Sequence, residues 1–141
     1  MGIILGIDVG SKRVGTALAD EKSPVAHPYR TFERAKYRAE QAIIELVEQR
    51  DIKTVVVGLP LSADGSKNPA CEAVENFCRR LLKRVKFELN YIDEYLSSEE
   101  AKHRLNKRIG RANRGVIDSA AACIILQNYL DSVRSKQHSE L

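Results

Sequence analysis

The stretch Ile3-Ile4-Leu5-Gly6-Ile7-Asp8-Val9-Gly10-Ser11-Lys12-Arg13-Val14-Gly15 decides the fold of this chain. Ile3 to Val9 is a nearly continuous run of β-formers, the pattern of a strand buried on both faces. Gly10 to Arg13 is a natural turn, so Val14 to Ala19 reads as the returning strand of a hairpin. A single acid, Asp8, interrupts the apolar run near its end. Desolvating a carboxylate there costs several kcal/mol unless something compensates it.

Reading outward, Asp20 to Pro28 is a polar loop and Tyr29 to Phe32 a short third strand. From Glu33 to Arg50, Ala35, Ala39, Ala42, Ile43, Leu46 and Val47 recur at helical spacing, which predicts an amphipathic helix. Thr54-Val55-Val56-Val57 ends at Gly58 and reads as a strand of a covered parallel sheet. Leu59 to Asn68 is a loop with an Asp64-Gly65 turn signal. Pro69 suits the first position of a helix whose apolar face is Ala70, Ala73, Val74, Phe77, Leu81 and Leu82. Phe87 to Ile92 alternates as a fifth strand and runs into Asp93-Glu94. Ser97 and Glu100 stand at capping-box spacing, which predicts a short helix. A last helix is expected over Val116 to Val133, with Ile117, Ala120, Ala121, Ile124, Leu130 and Val133 toward the core, and a frayed tail over 135–141. The fold class is therefore α/β, a central mixed five-stranded sheet flanked by helices, in a single domain over 1–141.

Composition fits that reading. With 141 residues, a chain can bury about 70% of its unfolded surface and needs no disulfide or metal to fold. A 43% hydrophobic and 30% charged composition with 8 Gly and 4 Pro excludes collagen-like and disordered classes. No apolar run approaches the ~20 residues of a membrane helix, and Met1 to Asp8 has no basic leader segment. The expected setting is cytoplasmic, with no membrane partner. Cys71, Cys78 and Cys123 form no CxxC motif and read as reduced thiols. His27, His103 and His138 are scattered, which argues against zinc.

Acids lie at three places where chemistry is expected in such folds. Asp8 ends the first strand, Asp93-Glu94 ends the fifth, and Asp118 falls in the first turn of the last helix. Groups at the carboxyl ends of strands converge on the ligand crevice of open α/β sheets. A cation is the simplest compensation for them, and Mg²⁺ or Mn²⁺ prefers such hard oxygen ligands. The alternatives are a turn hydrogen bond for Asp8, a helix-dipole contact for Asp118, and a solvated loop pair for Asp93-Glu94. Ala121 and Ala122 would let the last helix approach the sheet closely. Gly6, Gly10 and Gly15 would let a phosphate or ribose approach Asp8. Ser11, Lys12 and Arg13 are candidate phosphate donors. The spacing is neither a dinucleotide fingerprint nor a P-loop.

The net charge of +4 is unevenly spread. Between Lys102 and Arg114 the chain carries Lys102, Arg104, Lys107, Arg108, Arg111 and Arg114 with no acid among them, which reads as an arm for a phosphate backbone. Few aromatics are interleaved, so base stacking is not supported.

Gly6-Ile7-Asp8-Val9-Gly10-Ser11-Lys12-Arg13-Val14-Gly15, Val57-Gly58-Leu59-Pro60-Leu61 with Asp64-Gly65, Asp93-Glu94 followed by Leu96-Ser97, and Ile117-Asp118-Ser119-Ala120-Ala121 together resemble the YqgF family of Holliday-junction-resolvase-like nucleases. The motifs occur in family order over nearly the whole chain. The chain departs from the family pattern at Tyr95, where Arg is usual, and at Ser97-Ser98. The resemblance implies an RNase H-like fold and hydrolysis of phosphodiester bonds with Mg²⁺ or Mn²⁺ held by Asp8, Glu94 and Asp118. It leaves open whether Asp93 or Glu94 is the ligand. Implied substrates are structured RNA, namely pre-16S rRNA at its 5′ end, or branched DNA, with Ser11, Lys12, Arg13, Lys107, Arg108, Arg111 and Arg114 as nucleic-acid contacts and a monomer or weak homodimer as the working unit. Rival readings are a catalytically weak binding factor in ribosome assembly or transcription, and an actin-like ATPase or sugar kinase. The last needs two such domains, and one is expected here.

Overall fold

The computed structural model describes residues 2–23, 25–93 and 114–139. Its elements are β1 (Ile3–Val9), β2 (Arg13–Asp20), β3 (His27–Glu33), a 3₁₀ turn (Ala35–Tyr37), α1 (Arg38–Gln49), β4 (Thr54–Leu59), α2 (Pro69–Leu82), β5 (Glu88–Asp93) and α3 (Arg114–Ser139). The strands form one sheet in the order β3-β2-β1-β4-β5. β1, β2 and β3 pair antiparallel, while β4 pairs parallel with β1 and β5 parallel with β4. The expected mixed sheet is present, and the hairpin that opens it contains the central strand.

Side chains alternate across each strand and so divide the core in two. Leu5, Ile7, Val14, Val55, Val57 and Leu59 pack against Ile43, Leu46 and Val47 of α1 and Val74, Phe77 and Leu81 of α2. On the other face, Ile4, Ala17, Ala19 and Val56 meet Ala122, Ile125, Leu126 and Leu130 of α3. Continuous apolar strands are needed because both faces are covered.

The element boundaries depart from expectation where tertiary pairing overrides local pattern. β3 is longer than Tyr29 to Phe32, because β2 pairs with it as far as Arg13↔Glu33. The Arg34 amide then donates to the Lys12 carbonyl at 2.9 Å. The chain turns sharply through left-handed Lys36 and Tyr37, with φ of 57° and 59°, and α1 starts only at Arg38. Ala35, expected on the helix face, is exposed. Ala70, Ala73 and Leu82 of α2, all expected on its apolar face, are exposed as well, so its packing rests on Cys71, Val74, Phe77, Cys78 and Leu81. α2 starts where Pro69 predicts, and Asn68 caps it by accepting from the Cys71 amide at 3.1 Å.

α3 runs beyond the expected helix at both ends. Its buried residues are Ile117, Ala121, Ala122, Ile125, Leu126 and Leu130, whereas Ile124, expected to point inward, is 36% exposed. The helix is rotated so that Ala122 and Leu126 sit over Gly6. A Cβ on Gly6 would lie 2.7 Å from Cβ of Leu126 and 3.1 Å from the Ala122 carbonyl oxygen. The short helix expected at Ser97 to Glu100 lies outside the described residues. Among the described residues, no helix is long and apolar enough to cross a membrane.

Candidate active site

The two acids that the structure describes at the expected places are anchored at the same glycine. Asp8 follows Ile4 and Gly6 on the α3 face of β1, by the same alternation that sends Leu5 and Ile7 to α1 and α2. Its cross-strand partner in the hairpin is Gly15. A Cβ on Gly15 would overlap the carbonyl of Asp118 and crowd the Ser119 amide, at 2.8 Å. Only glycine allows this contact of β2 with the first turn of α3. Gly15 thus holds Asp118 beside Asp8. The space over Gly6 and Gly15, expected to admit phosphate or ribose, is filled by α3. Gly10 is likewise packed within its own turn, where a Cβ would meet the Arg13 carbonyl oxygen at 2.7 Å.

Asp8 is half-buried, and its Oδ2 is shielded from solvent. Asp118 accepts a hydrogen bond from Nε of Arg13 at 2.9 Å, closing an ion pair between side chains 26% and 18% exposed. Arg13 was expected to face a phosphate backbone with Ser11 and Lys12. In the structure it is the first residue of β2, in phase with Gly15 and Ala17, and its guanidinium lies on the acid. Ser11 and Lys12 are exposed at the turn. That turn is braced by the Gly10 amide donating to the Arg13 carbonyl at 2.9 Å and by Nη1 of Arg34 donating to the Gly10 carbonyl at 3.0 Å. The ion pair was missed in the sequence, although the two-residue period from Gly15 back to Arg13 carries it.

Asp93 ends β5 in phase with Leu89 and Tyr91, which pack on the α1 and α2 face. It is therefore not on the face of Asp8 and Asp118. Glu94, Lys107, Arg108 and Arg111 lie outside the described residues, and Arg114 is described only as the first helical residue of α3.

Among the described residues, no group of three or more His, Cys, Asp or Glu side chains is placed to hold a metal ion. The donor set nonetheless fits a hard divalent cation. Magnesium uses one or two carboxylates and keeps several waters, and both acids are anchored at Gly15, Asp8 as its cross-strand partner and Asp118 through its backbone. A cationic group already stands on Asp118, in the form of Arg13.

The three cysteines are free thiols, with Cys71 and Cys78 buried. Burial pushes the Cys78 thiol up to about 11, against a smaller downward effect of the hydrogen bond that the Tyr91 hydroxyl donates to it. The same burial raises Tyr91. These groups lie on the α1 and α2 face, away from the acids.

A family model described as "RuvX: Holliday junction resolvase" matches residues 2–132. Relatives named "Putative pre-16S rRNA nuclease" include one from Gloeothece citriformis, 44% identical over 140 residues that cover 97% of this chain and 93% of the relative. Another, from Syntrophus aciditrophicus, is 40% identical over 95% of this chain and 91% of its own length. Among solved structures, the fold is similar to that of RuvC from T. thermophilus in complex with a Holliday junction substrate, with a TM-score of 0.58 at 10% identity over 95% of this chain and 96% of that one. The expected RNase H-like architecture is borne out.

Proposed function

The chain belongs to the RuvX family, and on that premise we propose that it is a divalent-metal-dependent endonuclease of structured nucleic acid. The cellular substrate proposed is pre-16S rRNA, cut to mature its 5′ end in the cytoplasm. The observation that carries the reading is the placement of Asp8 and Asp118 on either side of Gly15 at the carboxyl end of β1. The names of its relatives, shared over nearly the whole chain, support the substrate.

Asp8 and Asp118 would hold Mg²⁺ or Mn²⁺, with Glu94 as the third ligand, since Asp93 faces the opposite layer. When bound, such ions supply an activated water and stabilise the leaving 3′ oxygen. The protein's own part is to hold the carboxylates. Asp8 is fixed by the central strand, and Asp118 by the backbone contact of α3 with Gly15. Lys12 and Ser11, exposed on the adjacent turn, would bind the backbone phosphates flanking the cut. Lys107, Arg108, Arg111 and Arg114 would extend that contact, so affinity should fall steeply with salt.

A second reading, resolution of four-way DNA junctions, is favoured by the description of the family model. The experiment is a side-by-side cleavage assay on a precursor rRNA fragment and a synthetic four-way junction, with Mg²⁺ and with Mn²⁺. Cleavage of the RNA at the 16S 5′ boundary, lost in Asp8→Asn, is expected. Faster cleavage of the junction would transfer the substrate to DNA. No metal-dependent cleavage of either would favour a binding factor with a relict site.

A further inference from the structure

We propose that Arg13 is a gate between metal and nucleic acid: it neutralises Asp118 while no metal is bound and is released to the substrate backbone when metal takes that carboxylate. The inference rests on the proposed metal role of Asp118. It goes beyond it by giving one side chain two alternative partners.

The geometry supplies both positions. Arg13 Nε lies 2.9 Å from Asp118 Oδ2, and a carboxylate engaged by a guanidinium in this way has one oxygen fewer for a cation. The two positive charges therefore compete for one acid. The Asp118 main chain has little freedom to follow either partner, because it is pressed on Gly15. Arg13 can leave. It stands at the start of β2, directly after exposed Ser11 and Lys12, and its side chain is 26% exposed. Its backbone stays anchored by the Gly10 to Arg13 turn bond and by pairing with Glu33. Only the side chain has to move, from the acid toward the surface that already presents Lys12.

A competition of this kind is a coupling between two binding events, and such coupling is reciprocal. Metal binding raises the affinity for phosphates because it frees a guanidinium, which binds phosphate oxygens in bidentate fashion. Nucleic acid raises metal affinity by the same factor because it holds that guanidinium away. Without substrate, the ion pair keeps a loosely held metal from charging the site.

Mn²⁺ binding followed by electron paramagnetic resonance, and binding of a labelled RNA hairpin in EDTA or in Ca²⁺, test the gate. Arg13→Gln should bind Mn²⁺ about three- to fivefold more tightly than wild type, the range of a partly exposed ion pair. Lys12→Gln, which removes a neighbouring charge that does not touch Asp118, should leave Mn²⁺ binding within a factor of about two. Arg13→Gln should lose RNA affinity in Ca²⁺ and very little in EDTA, whereas Lys12→Gln should lose it equally in both. Asp118→Asn should gain RNA affinity in EDTA, and Arg13→Gln on that background should cancel the gain. The Asp118→Asn comparison stands even if Arg13→Gln alone folds poorly. Weaker Mn²⁺ binding by Arg13→Gln would overturn the gate and make Arg13 a residue that merely orients Asp118. So would an equal loss of RNA binding with and without Ca²⁺. If instead wild type shows no Mn²⁺ binding that Asp8→Asn removes, it is the metal-site reading that fails.

Discussion

The two faces of the sheet differ in how closely the helices approach it. Toward α1 and α2 the strands present Leu5, Ile7, Val14, Val55 and Val57, and the helices answer with Ile43, Leu81 and the fully buried Phe77. Toward α3 they present Ile4 and Val56 beside small Gly6, Gly15, Ala17 and Ala19, and the helix answers with Ala122, Ile125, Leu126 and Leu130, its backbone closing on the two glycines. Large side chains bury more area per residue and hold layers apart. Small ones bring backbones into contact, which contributes less apolar burial but fixes the position of whatever the helix carries. One face therefore buries the larger apolar cluster, and the other sets the relative position of Asp8 and Asp118. Separating structural weight from site geometry lets one sheet do both.

Substitutions that damage one face and spare the other sharpen this contrast. The largest loss of stability is expected from Phe77→Ala, about 3–5 kcal/mol by chemical denaturation. The guanidinium groups of Arg34 and Arg80 also lie over its ring, at 5.4 Å and 5.9 Å from the centroid. Mn²⁺ affinity measured on the remaining folded fraction should be unchanged. Gly15→Ala should cost less stability, roughly 1–3 kcal/mol as an overpacked contact, yet abolish cleavage, because the added methyl displaces the first turn of α3 and Asp118 with it. A Gly15→Ala protein that cleaves at the wild-type rate would break the proposed division of labour.

The smallest effect concerns thiol chemistry. Cys78 lies on the α1 and α2 face and is buried, with its thiol raised to about 11, while Cys123 of α3 is half-buried and is also raised by desolvation. Raising a thiol pKa lowers the fraction of reactive thiolate at pH 8. Native-state labelling of Cys78 should then be slower than that of Cys123, and its rate should increase about tenfold per pH unit up to pH 11. Faster labelling of Cys78 would place the looser packing on the wrong face.

Much of this arrangement was legible in residue order. The continuous β-formers of β1 and β4 demand covering on both faces, and the Gly10 to Arg13 turn fixes the hairpin that pairs Asp8 with Gly15. Asp8 and Asp118 were legible as candidates because a carboxylate stands out at the end of an apolar strand and in a first helical turn. The start of α1 was not legible. The alanine spacing from Ala35 continues a helical pattern, but pairing of β3 with β2 as far as Glu33 commits those residues to a strand first. The inward face of α3 was also misjudged. Ile124 and Ile125 are equally apolar, and the choice between them is made by where Leu126 fits over Gly6, a property of the sheet and not of the helix. Arg13 read as a turn residue donating to a phosphate, because its partner is 105 residues away.

The central claim is that Asp8 and Asp118 serve one site. Residues that act as a unit lose activity together, not additively. Single-turnover cleavage by Asp8→Asn, Asp118→Asn and the double variant, under saturating Mn²⁺ on the preferred substrate, measures this directly. Each single change should reduce the rate by about a thousandfold or more, and the double should be no slower than the worse single. A double variant whose loss is the product of two modest single losses, or a single variant with wild-type activity, would contradict the account.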